Sequence, residues 1–155
     1  MTMKTPEVIP GVLLFFRRKS EGVNEYAFHE RKKGFNAGLY CTPGGHNEGF
    51  ETYEDCAIRE ADEELGVKLA KRDLQPAHLL YRKGNKRNKL NGSAIRPDMC
   101  FVIERWKGEF QNKEPKKYGD MEWCPFNDIP KNTVNYVRQA LKHIENGVFY
   151  STHGF

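Results

Sequence analysis

Three glutamates, Glu60, Glu63 and Glu64, recur at i, i+3 and i+4 in a stretch, 52–65, whose apolar pattern is helical. With Glu60 at zero and about 100° per residue, Glu64 lies near 40° and Glu63 near −60°, so the carboxylates share roughly a 100° arc. Ala57, Ala61, Leu65 and Ile58 fall at roughly 60° to 160°, the stripe expected to face a core. The acids therefore stand beside the buried stripe, not opposite it. Like charges at this spacing repel, and a divalent cation would remove that cost. Mg²⁺ suits such a place because it takes a few carboxylates and keeps waters and substrate phosphates in its octahedron. A solvated acidic face is the commoner fate of a Glu-rich helix, and the three glutamates alone do not decide.

The residues around them favour the metal. Gly44-Gly45 lets the backbone turn tightly and bring a carbonyl toward a cation. Glu51 stands just ahead of the helix, where negative charge is favourable. Arg59 precedes Glu60 and can orient a carboxylate through its planar fork of donors.

The segment from Gly45 to Val67, with Glu51, Arg59-Glu60-Ala61, Glu63-Glu64 and Gly66 at fixed spacing, matches G-x5-E-x7-R-E-U-x-E-E-x-G-U, where U is aliphatic. This resembles the box of the Nudix family. Ala61 is a small occupant of an aliphatic position, and Gly49-Phe50 stands where many members place a residue followed by Gly. So many fixed positions across 23 residues make a specific pattern. The strand pair before Pro43, the stretch 104–109 and the C-terminal helix also look like MutT-type members.

The resemblance implies an α/β/α sandwich with a mixed β-sheet, using the box as loop–helix–loop. It implies a Mg²⁺- or Mn²⁺-dependent hydrolase cleaving a nucleoside diphosphate linked to another group. Residue by residue, it puts Glu60, Glu63 and Glu64 on the metals or the attacking water, adds the Gly44 carbonyl as a ligand, and has Arg59 hold a neighbouring acid. Glu114 stands where many members bring in one further acid, although a surface loop charge would explain it as well. Arg31, near the end of the second strand, is a candidate for a substrate phosphate or else a solvated strand-end charge. Asn132 stands where MutT-type enzymes read a base edge, and a helix N-cap explains it equally well. Tyr81 stands near the place where diadenosine-polyphosphate members carry a tyrosine, but strand tyrosines are common.

The elements that must position these residues are legible from patterning. Strands are expected at 8–16 (with a bend or an edge position at Pro10-Gly11), 23–31, 39–42, 74–82, 99–106 and 118–124. Pro43-Gly44-Gly45 reads as a turn. The box helix is expected from Thr52, with Asp55 in a capping box, to Leu65, with Gly66 as C-cap. A second helix, about 132–146, carries Val134, Val137, Leu141 and Ile144 on one face. The run 82–89 holds five positive charges and reads as a solvated loop, with an RNA- or phosphate-facing patch as the lesser alternative.

Length and charge set the remaining bounds. The 155 residues suit a single domain spanning 1–155. Twenty-five Lys and Arg against 21 Asp and Glu leave +4, enough to meet an anion and too little to mark a nucleic-acid binder. No apolar run reaches the roughly 18 residues of a membrane span, and no signal-peptide core is evident, so a soluble, cytoplasmic protein is expected. Cys41, Cys56, Cys100 and Cys124 lack zinc-site spacing. The leading expectation is a pyrophosphohydrolase of a nucleoside triphosphate or a related nucleotide. The alternatives are a dinucleoside-polyphosphate or nucleotide-sugar hydrolase, and a nucleotide- or RNA-binding protein on the same fold. The expected partner is a nucleotide, without membrane; nucleic acid is disfavoured and a homodimer is left open.

Overall fold

A computed structural model describes residue 3 and residues 5–84 and 94–155. In chain order the elements are β1 (Gly11–Ser20), β2 (Val23–Glu30), β3 (Tyr40–Cys41), β4 (Gly44–His46), α1 (Tyr53–Leu65), β5 (Gln75–Lys83), β6 (Ile95–Ile103), β7 (Glu122–Pro125), α2 (Asn135–Glu145) and β8 (Tyr150–His153). Hydrogen-bonded neighbours run β3-β2-β1-β6-β5-β8, with β4 also on β1 and β7 also on β2. The β1–β6 and β5–β8 pairs are parallel and the others antiparallel, so the sheet is mixed.

The unbroken apolar run at the start of β1 is what a strand covered on both faces requires. Successive side chains point to opposite faces. Val12, Leu14 and Phe16 pack with Cys56, Ala57, Ala61 and Leu65 of α1. Leu13 and Phe15 pack with Val137, Ala140 and Leu141 of α2. The helices therefore cover opposite faces of the sheet, which is the α/β/α sandwich. No helix among the described residues is long and apolar enough to cross a membrane.

The box helix forms as its sequence dictates. The Thr52 hydroxyl accepts from the Asp55 amide at 3.1 Å, the Asp55 carboxylate accepts from the Thr52 amide at 3.1 Å, and Gly66 closes the helix at φ 67°. Elsewhere the structure corrects the sequence expectations. The first strand begins after Pro10 and lies between β2 and β6, so it is central rather than an edge. Gly44 and Gly45 belong to β4, paired with Leu13 and Val12, and do not make a turn. A side chain on Gly44 would run into the Val12 carbonyl. The sixth strand sits about four residues earlier than its pattern suggested, leaving Trp106 to an aromatic cluster with Phe16 and Phe110. Tyr118 makes one isolated bridge to Arg31, and the strand proper starts at Glu122. α2 is capped at Val134 with no side-chain cap, so Asn132 is not its N-cap. β8 lies where the sequence shows no strand pattern; it pairs with β5 along a short, half-exposed stretch.

Candidate active site

β4, α1, the end of β2 and the start of α2 enclose a cavity of about 470 Å³. Glu60, Glu63 and Glu64 line it from α1, Gly44 and Gly45 from β4, and Glu114 from the loop ahead of β7. The three helix carboxylates differ sharply in environment. The Glu63 side chain is 55% exposed, that of Glu60 is 13% exposed, and Glu64 as a residue is only 5% exposed. The order follows the helix angle, since Glu64 is the acid nearest the buried stripe.

Arg59 organises the outer acids. Its Nε and Nη2 donate to the two oxygens of Glu51 at 2.7 and 2.9 Å, a bidentate pair. Its Nη1 donates to Glu60 at 2.9 Å and to Glu63 at 3.2 Å, and Nη2 also reaches the His46 carbonyl at 3.2 Å. The guanidinium is thereby held in its charged form, chiefly by the bond to Glu51, and Glu51 is held below the usual carboxylate range by the same bond. Glu60 passes so close to the β4 backbone that a side chain on Gly45 would overlap its carboxylate.

Glu64 is the anomaly. Burial pushes its carboxyl well above the usual range, and the neighbouring charges of Glu60 and Glu114 push in the same direction. Its Oε2 is sealed from solvent with no hydrogen-bond partner. The Gly44 backbone, which pulls the other way, is the lesser influence, and an unpaired buried acid oxygen is costly. Glu114 reaches the same cavity because its loop is tied to the end of α1: the Gln111 amide donates to the Leu65 carbonyl at 2.8 Å and the Lys113 amide to the Glu64 carbonyl at 3.2 Å.

Among the described residues no three His, Cys, Asp or Glu side chains are drawn together into a ready-made metal cage. Arg59 accounts for this, since it turns Glu60 and Glu63 toward itself. The donor set nevertheless fits a hard divalent cation. It is all oxygen, it leaves the buried Glu64 Oε2 without a partner, and glycine at 45 keeps room for the Glu60 carboxylate. Glu60, Glu63, Glu64, Glu114 and the Gly44 carbonyl could each supply an oxygen, with waters and phosphates completing the shell.

The family model of the NUDIX domain matches residues 9–144. The chain belongs to the Nudix family. Its fold resembles the MutT NUDIX hydrolase from Burkholderia pseudomallei, with TM-score 0.70 and 22% identity over 88% of this chain and 97% of that one. It likewise resembles the MutT protein from Methanosarcina mazei Go1, with TM-score 0.71 and 15% identity over 93% and 97%. The C. elegans Ap4A hydrolase gives TM-score 0.61 and 15% identity over 89% and 96%. The fold of this chain is thus that of the MutT-type Nudix structures. Its family cleaves nucleoside diphosphates linked to other groups and generally uses divalent metal ions.

The remaining sequence candidates divide in this Nudix chain. Arg31 lines the cavity, with its guanidinium 5.9 Å from the centre of the Tyr118 ring and its Nε donating to the Lys33 carbonyl at 3.1 Å. Asn132 does not line it; its amide donates to the Gly38 carbonyl at 2.8 Å and secures the turn before β3. Tyr81 stacks on Phe155, also away from the cavity lining. Of the basic run, Arg82 enters the cavity wall, while residues 85–89 lie outside the described residues.

Sequence reasoning missed Arg96, Asp98 and Tyr136, which stand with Arg82 at the α2 side of the cavity. A signal existed. Arg96 and Asp98 alternate with Cys100 and Val102 along β6, so charged residues occupy the face that otherwise packs on α2.

Proposed function

We propose that this Nudix hydrolase is a Mg²⁺-dependent pyrophosphohydrolase of a nucleoside triphosphate or a related nucleoside-diphosphate-linked compound, with residues 1–155 working as one domain. The observation that carries the reading is Glu64, an acid sealed in the wall of an open cavity, with Oε2 unpartnered and repelled by Glu60 and Glu114. In this reading Glu60, Glu63, Glu64, Glu114 and the Gly44 carbonyl hold the cation, Mn²⁺ being able to replace Mg²⁺. The chemistry supplied there is neutralisation of the diphosphate oxygens and a lowered pKa for water in line with phosphorus.

The chain's own residues do the rest. Arg59, fixed on Glu51, sets the position of Glu60 and Glu63 and limits their repulsion before substrate arrives. Arg31 faces the same space and neutralises a substrate phosphate. One carboxylate of the set accepts the proton of the attacking water, a role worth typically about 10²–10⁴-fold. Asn132, with its amide engaged on Gly38, positions the turn rather than reading a base.

A panel of nucleotides assayed with Mg²⁺ and again in EDTA tests this. Hydrolysis is expected with Mg²⁺ or Mn²⁺ and none in chelator. Separation of products into pyrophosphate, phosphate or two mononucleotides identifies the bond cleaved. Turnover that persists in EDTA, or a panel with no substrate, sinks the reading.

A further inference from the structure

The wall opposite the glutamates carries the second charged cluster of the cavity. Arg82 on β5 and Arg96 on β6 are direct cross-strand partners. Like charges placed so oppose sheet formation unless something neutralises them. Asp98 does so for one of them: its Oδ2 accepts from Arg82 Nε at 2.6 Å, with side-chain exposures of 2% and 12%. Tyr136 from α2 covers the same guanidinium, its ring centre 4.1 Å away. Arg96 has no such ion pair among the described residues. Its Nε is sealed from solvent and makes no hydrogen bond among the described residues.

Two guanidiniums against one carboxylate leave this wall with an excess of one positive charge. The glutamates do not cancel it. The groups that act most on Arg96 are Asp98, Arg82 and Tyr136, whereas Glu64 feels Glu60, Glu114 and Arg31. Residues 85–93, which join the two strands, include no acid in their sequence. A partly buried cation that must share its one counter-ion with a second guanidinium is costly, and a neutral ligand edge would leave the excess uncompensated.

We propose that Arg82 and Arg96 form an anion subsite, taking a phosphate that the substrate carries remote from the diphosphate served by the glutamates. This rests on the proposed function, because it assigns the second end of the same substrate. Guanidinium forks match phosphate oxygens in pairs, and Arg82 is already fixed by Asp98 and Tyr136, so little ordering remains to be done on binding. The preferred substrate class is therefore a nucleotide diphosphate ester with an additional phosphate, rather than a plain nucleoside triphosphate selected by its base.

Two measurements test this, and the first needs no hydrolysis. Thermal unfolding in EDTA is followed while inorganic phosphate replaces chloride at constant ionic strength. The midpoint is expected to rise saturably in the wild type and in Arg31→Met, and to stay flat in Arg96→Met. A flat wild type, an undiminished rise in Arg96→Met, or loss of the rise in Arg31→Met alone overturns the subsite. Arg96→Met removes a like charge and should fold; Arg96→Lys, which keeps the charge without the fork, serves in its place if it does not. The second measurement compares dephospho-coenzyme A with coenzyme A, and NADH with NADPH, each pair differing by one ribose phosphate. In the wild type the additional phosphate is expected to raise kcat/KM by about tenfold or more through KM, the worth of one charge-assisted pair. In Arg96→Met that ratio should fall to near unity. Equal losses on both members of a pair, or a ratio that Arg96→Met leaves intact, refute the assignment. A protein that hydrolyses neither pair but binds phosphate through Arg96 keeps the anion subsite and loses the nucleotide reading.

Discussion

Glu64 and Asp98 are both carboxylates nearly shut off from solvent, at 5% and 2% exposure, and both belong to residues lining or backing one cavity. Asp98 has Arg82 at 2.6 Å. Glu64 has an oxygen with no partner and two acids as its electrostatic neighbours. The first arrangement is complete as folded, since breaking such a pair leaves an uncompensated buried charge. The second leaves a buried oxygen unpaired, the deficit that the proposed cation would make good. The contrast separates a carboxylate whose buried charge is paired from one whose charge is not, although the two are similar in type and burial; the proposed function gives the second its reason. His29 shows a third answer to the same problem. It is 2% exposed, stacks on Tyr118 with ring centres 4.1 Å apart, and is kept neutral because burial lowers its pKa to about 4.

The sharpest way to break the contrast is to remove each charge in turn. Asp98→Asn should destabilise the metal-free protein by about 3–5 kcal/mol, because Arg82 and Arg96 would face each other uncompensated. Glu64→Gln should do the opposite in chelator near neutral pH, holding stability level or raising it, while lowering kcat with saturating Mg²⁺ by at least about 10²-fold. Denaturant unfolding and steady-state kinetics on both variants read the two effects. If Glu64→Gln unfolds the protein and Asp98→Asn does not, the roles are reversed and the site assignment is wrong.

The acid limb of stability sharpens the third case. The folded-state pKa of His29 is depressed below the ordinary 6.5, so the unfolded chain takes up the proton first as pH falls. Its contribution is full above about 6.5 and is lost on the way down to about 4. Relative to His29→Phe, which keeps the stack on Tyr118, the wild type should lose about 3 kcal/mol across that window. Parallel stability curves for the two proteins would mean that His29 is protonated in the fold.

Smaller effects probe the edges of each cluster. Gly45→Ala places a methyl group on the Glu60 carboxylate. It should lower kcat by roughly 10-fold or more while leaving Asp98 and its neighbours untouched, the scale expected of a misplaced group. Smallest of all, neutralising Lys83, Lys86 and Arg87 together should change kcat/KM by less than about twofold if these are solvated charges. A large loss would instead place that segment of the chain at the substrate.

The sequence by itself determined the box helix and its acids. Thr52, Asp55 and Gly66 mark the helix ends through short-range hydrogen bonds and backbone preference, and the 3.6-residue period places Glu64 beside the buried stripe. An apolar run also marked β1 as a strand, but Pro10 and Gly11 suggested a bend or an edge, and only the pairing with β2 and β6 made it central. Tertiary structure decided what period and propensity do not encode. Gly44 and Gly45 read as a turn, yet they form a strand because only glycine lets β4 lie against Val12 and lets Glu60 reach its backbone. β8 has no strong pattern and exists through its pairing with β5. Arg82 read as the first charge of a solvated loop, and it becomes part of the cavity wall only because β6 brings Asp98 to it across 16 residues of sequence. Charge pairing of this kind is a long-range property. The register of two strands sets it, and register depends on the packing of the whole sheet.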